Sequence, residues 1–265
     1  MLLSSLVIVL VASTFLVQNR YYASQVLQAG AQDNARAATE LMASEIRSVM
    51  LDGIIVAGPR TLTVRSPIVL ATVCQALANQ SFVHSPGGQS AIDTVEVAGI
   101  AIRDTISGAW TYAQASFASF NGSDAGAQNR CASTGADTVG SYNEFHEFGS
   151  LPALLGTTPA LGDVLMLFRE TTFTVQTSTM DTTVQGLFRK TFWSTATELA
   201  SGFDTSARFQ YRTSAGTYVD TVTTANLDDI DVIRMIVDTR KPAPTGGVED
   251  ITSGWSVNIA LRNVR

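Results

Sequence analysis

Apolar and polar positions divide the chain into a helical start and a strand-rich remainder. Residues 1–17 (MLLSSLVIVLVASTFLV) contain no charged side chain, no glycine and no proline. From Gln18 to about Leu51 the sequence becomes amphipathic, with no proline and a single glycine, Gly30. Because Ala, Leu, Gln, Glu, Met and Arg favour helix, the pattern predicts one long helix over residues 1–52, apolar in its first part and amphipathic over 18–52.

The second part of this helix carries an apolar stripe at spacings of three and four residues. Such a stripe predicts a face that lies against a folded domain. Asp52-Gly53 is the predicted end of the helix, with the glycine taking the left-handed conformation common at helix ends. The stripe consists of Leu27, Ala31, Ala35, Ala38, Met42, Ile46 and Val49.

Residues 53–265 predict a β-rich globular head. From Gly162 onward, apolar runs separated by turn residues recur with no helical segment between them, which is typical of an antiparallel sheet. The predicted fold class is therefore α+β, with the long N-terminal helix packed on one face of that sheet. Residues 103–162, rich in Gly, Ser, Ala and Asn, are predicted to form a variable insertion at the outer surface. The predicted strands are 54–57, 61–64, 94–102, 163–168, 171–177, 185–193, 207–212, 231–238 and 256–261, while 68–78 fits either a strand or a short helix.

Three interpretations compete for the apolar start. A cleaved secretion signal requires basic residues before the apolar run, but the first basic residue is Arg20, and Ala29-Gly30-Ala31 lies too far along to be its cleavage site. A single-pass membrane anchor fits the composition, although residues 1–17 span only about 26 Å against a hydrocarbon layer of roughly 30 Å. The favoured interpretation is a filament-forming helix that lies in the membrane only before assembly.

Three aromatic residues mark the end of the apolar run. Phe15, Tyr21 and Tyr22 predict either an interfacial aromatic belt or packing between neighbouring helices. Further along, Gly30 predicts a flexible or partly melted turn, because glycine in a helix interior costs about 1 kcal/mol relative to alanine.

Charge and cysteine content narrow the function classes. The formal net charge is −6 and the pI is near 4.9. This balance argues against nucleic-acid binding, which requires clustered Lys and Arg. The two cysteines, Cys74 and Cys131, have no C-x-x-C spacing, so they do not predict a metal site. In an oxidising compartment they predict a disulfide, with two buried free thiols as the alternative.

No catalytic, cofactor or metal site is predicted. His84 and His146 each lack a second His or Cys at ligand spacing, which favours surface positions. Residues 143–147 (NEFHE) place two carboxylates beside a histidine, but no nucleophile or further partner accompanies them. The acidic group formed by Asp220, Asp228, Asp229 and Asp231, with Asn226, lacks the residue order of a calcium loop, and a solvated strand edge is favoured.

Two N-x-S sequons provide candidate modification sites. Asn79 and Asn121 each precede a serine by two residues, which is the acceptor pattern for N-linked glycosylation. Such sequons also arise by chance, and the serine- and threonine-rich head offers O-linked sites as an alternative. Glycosylation is therefore a secondary prediction.

The order of several segments along the chain resembles the type IV pilin superfamily, which includes the pseudopilins of type II secretion. Residues 37–49 (AATELMASEIRSV) resemble the helix end of PilW-type minor pilins and J-type pseudopilins. Residues 198–216 (ELASGFDTSARFQYRTSAG) and 227–239 (LDDIDVIRMIVDT) resemble the turns and strands that follow in that family. Leu261-Arg262-Asn263 is similar to the usual chain end. The resemblance covers the helix and the last part of the chain, but not residues 103–162.

This resemblance implies a structural subunit of an extracellular type IV pilus-like filament, with no enzymatic activity and no cofactor. The implied partners are further copies of the chain, the inner membrane before assembly, and the pilus assembly machinery. The alternatives are a minor tip pilin or pseudopilin, or a single-pass membrane-anchored extracytoplasmic binding protein. The expected fibre-core residues are Leu2, Leu3, Leu6, Val9, Leu10, Phe15 and Leu16.

One motif departs from the family. Its members begin with a basic leader, a glycine at the processing site and a mature start resembling F-T-L-I-E, none of which occurs here. When residues 1–5 are aligned with the positions that follow that glutamate, the resemblance implies a leader and about five mature residues before Met1. The alternative is a family member that dispenses with this glutamate, and with the assembly chemistry that depends on it. Five more helical residues lengthen the apolar span to about 33 Å, which matches the hydrocarbon layer.

Overall fold

The computed structural model describes residues 2–50, 52–76, 80–86, 97–104, 108–114, 131, 143–149, 159–241 and 251–261. Within them, a helix is followed by thirteen strands, which confirms an α+β fold with an antiparallel sheet. A 3-10 helix, Thr224–Asp229, precedes β12. The elements are α1 (Leu2–Arg47), β1 (Ile54–Ala57), β2 (Thr61–Ala76), β3 (Gln80–Pro86), β4 (Gly99–Arg103), β5 (Trp110–Gln114), β6 (Asn143–Gly149), β7 (Val164–Thr177), β8 (Gln185–Thr191), β9 (Thr197–Phe203), β10 (Arg208–Thr213), β11 (Tyr218–Val219), β12 (Ile230–Lys241) and β13 (Ile251–Ala260).

The described strands form one sheet in which the pairings are antiparallel. Its order is β11-β10-β12-β9-β8-β7-β2-β3-β6. Four further strands attach to this path, with β1 on β2, β13 on β12, and β4 between β7 and β5. Two strands of the sheet, β5 and β6, belong to the predicted insertion 103–162. Part of that insertion therefore extends the same sheet as the rest of the head.

The long strands β2 and β7 form the centre of the sheet. They pair from Thr61 opposite Thr174 to Thr72 opposite Val164. The sequence predicted each of them as two separate runs, and that prediction was wrong. In β2 the ladder continues past Pro67 because a register shift between Pro67 and Val69 accommodates a residue that has no N–H to donate.

The structure decides one open alternative and adds one strand. The segment 68–78, for which a strand and a helix were both open, is strand as far as Ala76. Residues 197–203, where the sequence predicted no strand, form β9. Gly202 has a φ of 92°, and β9 shifts register twice against β8, which explains why its sequence lacks a regular alternation.

The main hydrophobic core lies between α1 and one face of the sheet. One face of α1 is buried there from Ala35 onward. This confirms the predicted apolar stripe from Ala35 to Val49. On the sheet side, the centre of the core comes from β2, β7, β8, β10 and β12. The core includes Ala35, Ala38, Met42, Ile46, Val49, Leu62, Val64, Phe173, Val175, Leu187, Phe209, Tyr211, Ile233 and Met235.

A second core cluster lies further along β2 and β7, away from the helix. It joins the later residues of β2 to the first residues of β7 and to β4 and β5. The two central strands therefore connect both cores. The cluster contains Val69, Ala71, Val73, Ile100, Ile102, Ala113, Leu165 and Leu167.

The connection from helix to sheet differs in detail from the prediction. α1 ends at Arg47 rather than near Leu51. Asp52, not Gly53, has the positive φ, at 61°. Gly53 is required for space instead, because a Cβ there would lie 2.7 Å from Val49 Cγ1 and 2.8 Å from the Met50 carbonyl oxygen. This tight turn directs the chain into β1, and the Gly53 carbonyl accepts a 2.7 Å hydrogen bond from the Arg65 N–H.

Candidate functional site

The first part of α1 presents apolar side chains to solvent. Every side chain that the structure describes between Val11 and Gly30 is exposed. Phe15 is 68% exposed and Leu16 is 57% exposed in the single chain. Large apolar side chains of this kind are normal one at a time, whereas a contiguous group marks an interaction surface. The group, called here the exposed segment of α1, consists of Val11, Phe15, Leu16, Val17, Tyr21, Tyr22 and Val26.

The apolar side chains of the exposed segment lie on more than one face of the helix. Residues 11–22 are exposed without interruption, so apolar side chains occupy more than one helix face. One face carries a shallow depression lined by Val11, Thr14, Phe15 and Gln18, at the spacing of successive helical turns. Exposed apolar side chains on several faces of a helix are ordinarily covered by other protein or by lipid.

Beyond Asn34 the environment of α1 changes. Ala35, Met42 and Ile46 are fully buried against the head, while Arg36 and Glu40 remain exposed. Thr39 is also buried, and its hydroxyl donates a 2.9 Å hydrogen bond to the Ala35 carbonyl, so no polar atom of this residue lacks a partner at the interface. The head therefore holds the second part of α1 by one face and leaves the opposite face open.

An ion pair supplements this packing. Arg189 of β8 donates from Nε and Nη2 to Glu45 Oε1, at 2.9 Å and 2.8 Å. Both side chains are largely buried, with 23% of Arg189 and 13% of Glu45 exposed. Charge-assisted hydrogen bonds of this kind are stronger than neutral ones and fix the geometry of the groups that they join. Glu45 belongs to the segment 37–49 whose resemblance to pilins was noted, whereas no pattern in the sequence indicated Arg189 as its partner.

The predicted fibre-core residues lie at or before the exposed segment. Phe15 and Leu16 belong to it. The backbone of the others is helical as part of α1, whereas their side chains lie outside the described part of the structure. These are Leu2, Leu3, Leu6, Val9 and Leu10. The helix continues through Gly30, so the melted turn predicted there does not form.

Cys74 and Cys131 form a disulfide, with an S–S distance of 2.05 Å and a Cα–Cα distance of 5.0 Å. Both residues are buried. This is the pairing that the sequence predicts, and it ties β2 to the segment that separates β5 from β6. The free-thiol alternative does not apply.

For the other candidate residues, the structure describes the backbone of the two histidines and the contacts of two of the acidic residues. The backbone places Val83 opposite His146 and His84 opposite Phe145, so the two histidines are not cross-strand partners. Asp231 accepts hydrogen bonds from Arg212, with a shortest distance of 2.8 Å, and Asp220 accepts one from Gln210 at 2.9 Å. In the described part of the chain, no group of three or more His, Cys, Asp or Glu residues is arranged to hold a metal ion.

Two tyrosines, Tyr211, which is buried, and Tyr112, which is half-buried, show the largest pKa shifts among the described residues. Burial raises the pKa of Tyr211 well above its ordinary value, and burial together with the charge of Asp52 does the same for Tyr112. Tyr211 therefore remains a donor at neutral pH, and its hydroxyl donates a 2.8 Å hydrogen bond to the Gly58 carbonyl. This is a structural tie beneath α1. The sequons at Asn79 and Asn121 lie outside the described residues.

Comparisons with protein-family models, with curated proteins and with solved structures found no match. Among the described residues, no helical segment combines the length and the hydropathy that crossing a membrane requires. The candidate site is thus defined by the geometry of this chain alone: an exposed apolar helical segment continuous with a helix that is docked on a sheet.

Proposed function

We propose that the protein is a structural subunit of a type IV pilus-like extracellular filament, assembled by bundling the N-terminal helices of many copies. One observation carries this proposal: the same helix carries the exposed apolar side chains of the exposed segment and is docked on the head from Ala35 onward. The long helix on an antiparallel head and the order of segments that resemble pilins support it.

Burial of apolar surface supplies the driving force for assembly. Phe15, Leu16 and Val17 are each more than half exposed in the isolated chain. Full burial of such a side chain contributes roughly 1.5–3 kcal/mol relative to exposure. Several such side chains per subunit stabilise a fibre without any covalent link between subunits.

The distribution of these side chains favours a bundle over a single partner groove. A helix that enters one groove needs one apolar face, whereas the exposed segment has apolar residues on several. In a bundle each helix has neighbours on more than one side. The heads then lie outside the bundle, because α1 joins them through the face that starts at Ala35.

In this proposal the first residues of α1 hold the subunit in the inner membrane before assembly, and pilus assembly machinery transfers it into the fibre. The protein acts as a scaffold without enzymatic activity or cofactor. The head, including residues 103–162, forms the outer surface that meets the environment.

The proposal is tested by placing a charge in the apolar segment. Phe15→Asp and Leu16→Asp, together with Leu6→Asp and Val9→Asp, are expected to abolish fibres on the producing strain, as seen by negative-stain electron microscopy. Phe15→Leu is the matched control, because it keeps the position apolar and is expected to retain fibres. Immunoblotting checks that each variant accumulates to the level of the unmodified protein.

The alternatives give different results in the same experiment. If the unmodified strain forms no fibre and the Phe15→Asp head still reaches the surface, the protein is a membrane-anchored extracytoplasmic protein and the filament proposal is wrong. Immunogold labelling of the head distinguishes the remaining roles. A major subunit is labelled along the whole fibre, whereas a minor pilin is labelled only at the tip.

A further inference from the structure

The uncovered part of α1 contains one cation and one anion. Between Leu2 and Asn34 the charged residues are Arg20 and Asp33. Both are exposed, and neither side chain has a hydrogen bond or ion pair within the described part of the chain. In a bundle of apolar helices each charge loses contact with water, which is unfavourable unless an opposite charge compensates it. The two residues are therefore the natural partners of one another.

The two residues do not meet within one helix. They are separated by about thirteen residues, which corresponds to roughly 20 Å along the axis and roughly 140° around it. Such a distance exceeds the reach of an Arg side chain, so an Arg20–Asp33 pair requires two copies of the chain.

Asp33 shares a helix face with Phe15, Tyr22 and Val26, on the side away from the head. This side is named the back face of α1. Arg20 lies with Val17 and Tyr21 toward the opposite side, in line with the residues that contact the head further along. This side is named the front face of α1. Each face thus carries large exposed apolar side chains and one of the two charges.

We propose that the front face of one copy packs on the back face of the next in a parallel bundle, with Arg20 paired to Asp33 of the neighbour. The stagger between neighbouring subunits is then roughly 20 Å along the helix axis. This inference rests on the proposed filament function and adds the register of the helices. Because the two faces differ, the contact is heterologous and repeats without closing, as a filament requires.

An antiparallel pair does not satisfy the same geometry. A two-fold interface uses the same patch on both copies, so Arg20 and Asp33 would have to lie on one face. Their angular separation of roughly 140° places them on different faces. Glu40, the next anion along the exposed side, belongs to the part of α1 that already carries the head. Asp33 lies before that part and is exposed on the back face.

Charge reversal tests the pair. Arg20→Glu and Asp33→Arg are each expected to reduce the amount of fibre at least tenfold, and the double variant Arg20→Glu/Asp33→Arg is expected to restore it. Glu40→Arg is the matched control, because it reverses a charge on the same side of α1 about two turns further on. Loss of fibres in Glu40→Arg, with Asp33→Arg tolerated, overturns the inference.

Cysteine cross-linking measures the register directly. In the proposed stagger Leu16 of one copy lies level with Ala29 of the next, so Leu16→Cys/Ala29→Cys is expected to give a ladder of cross-linked multimers under mild oxidation. Leu16→Cys/Ala37→Cys is the control, because those positions meet only in an antiparallel pair centred on the same charges. The native Cys74–Cys131 disulfide leaves no other thiol in the chain.

The outcomes separate the register from the function. Fibres that form normally but give no ladder with Leu16→Cys/Ala29→Cys overturn the register and leave the proposed function standing. Dimers from Leu16→Cys/Ala37→Cys also overturn the register. The absence of fibres in the unmodified strain contradicts the proposed function, and the register with it.

Discussion

The two parts of α1 use the same kind of residue for different purposes. In the first part Phe15, Leu16 and Val17 are exposed, whereas in the second part Ala35, Met42 and Ile46 are buried under the sheet. Both parts favour helix, so helix propensity does not distinguish them. The difference is whether the chain itself covers them. We therefore expect substitutions in the second part to change folding stability and substitutions in the first part to change association.

Introducing a charge at matched positions gives the largest contrast. Met42→Asp places a carboxylate at a fully buried position of the apolar core, and is expected to prevent folding of the head or to destabilise it by more than about 4 kcal/mol. Phe15→Asp is expected to leave the unfolding midpoint unchanged. Urea unfolding followed by tryptophan fluorescence measures this, since Trp255 packs against the main core. Equal destabilisation by Met42→Asp and Phe15→Asp contradicts the conclusion that only the second part of α1 is covered by the head.

Truncation to alanine gives a smaller version of the same contrast. Ile46→Ala removes a buried side chain from the main core and is expected to lower the free energy of unfolding by about 2–5 kcal/mol. Leu16→Ala is expected to change it by less than about 0.5 kcal/mol, because its side chain is exposed. A loss above 1 kcal/mol in Leu16→Ala, measured on dilute protein in mild detergent, shows that the head or another copy covers this position.

The ion pair between α1 and β8 is expected to contribute less than the apolar core. Glu45→Gln or Arg189→Met removes a charge-assisted hydrogen bond and is expected to cost about 1–3 kcal/mol. A double-mutant cycle isolates the coupling, and Arg20→Met is the control in the exposed part. Additive effects of the two changes show that Glu45 and Arg189 do not interact in solution.

The smallest expected effect is a gain in stability. Gly30→Ala adds a Cβ that meets nothing within 4 Å, and it is expected to stabilise α1 by up to about 1 kcal/mol. Gly53→Ala is the contrasting control. Its new Cβ would lie close to Val49 and to the Met50 carbonyl, so this substitution is expected to destabilise the head. Helix content by circular dichroism and the unfolding midpoint together check both. No increase in helix content with Gly30→Ala shows that propensity does not limit this part of α1.

Local patterns in the sequence were sufficient for several elements. Strand β1 has the predicted bounds, and residues 185–191 and 208–212 fall within predicted runs, because turn residues separate these segments from their neighbours along the chain. The buried side of α1 from Ala35 onward follows from its helical spacing. Each of these features depends on residues within a few positions of one another.

Features that depend on distant residues could not be predicted. Pro67 suggests the end of a strand, yet pairing with β7 continues the ladder on both sides of it. Arg169 and Glu170 suggest a break, yet they pair across the ladder with Ser66 and Arg65. The candidate site shows the same limit. Its exposed apolar residues follow from composition, whereas the partner of Glu45 lies 144 residues away.

The disulfide also affects the order in which the sheet closes. Pairing Thr72 with Val164 requires the chain to close a loop of roughly 90 residues, and the bond between Cys74 and Cys131 shortens that path to roughly 35. The entropic free-energy cost of closing this loop then falls by about 0.8 kcal/mol. Oxidation before folding therefore lowers the entropic barrier to joining β2 and β7, the step with the longest sequence separation among the central strands. A chain that enters an oxidising compartment unfolded gains this advantage before its head is complete.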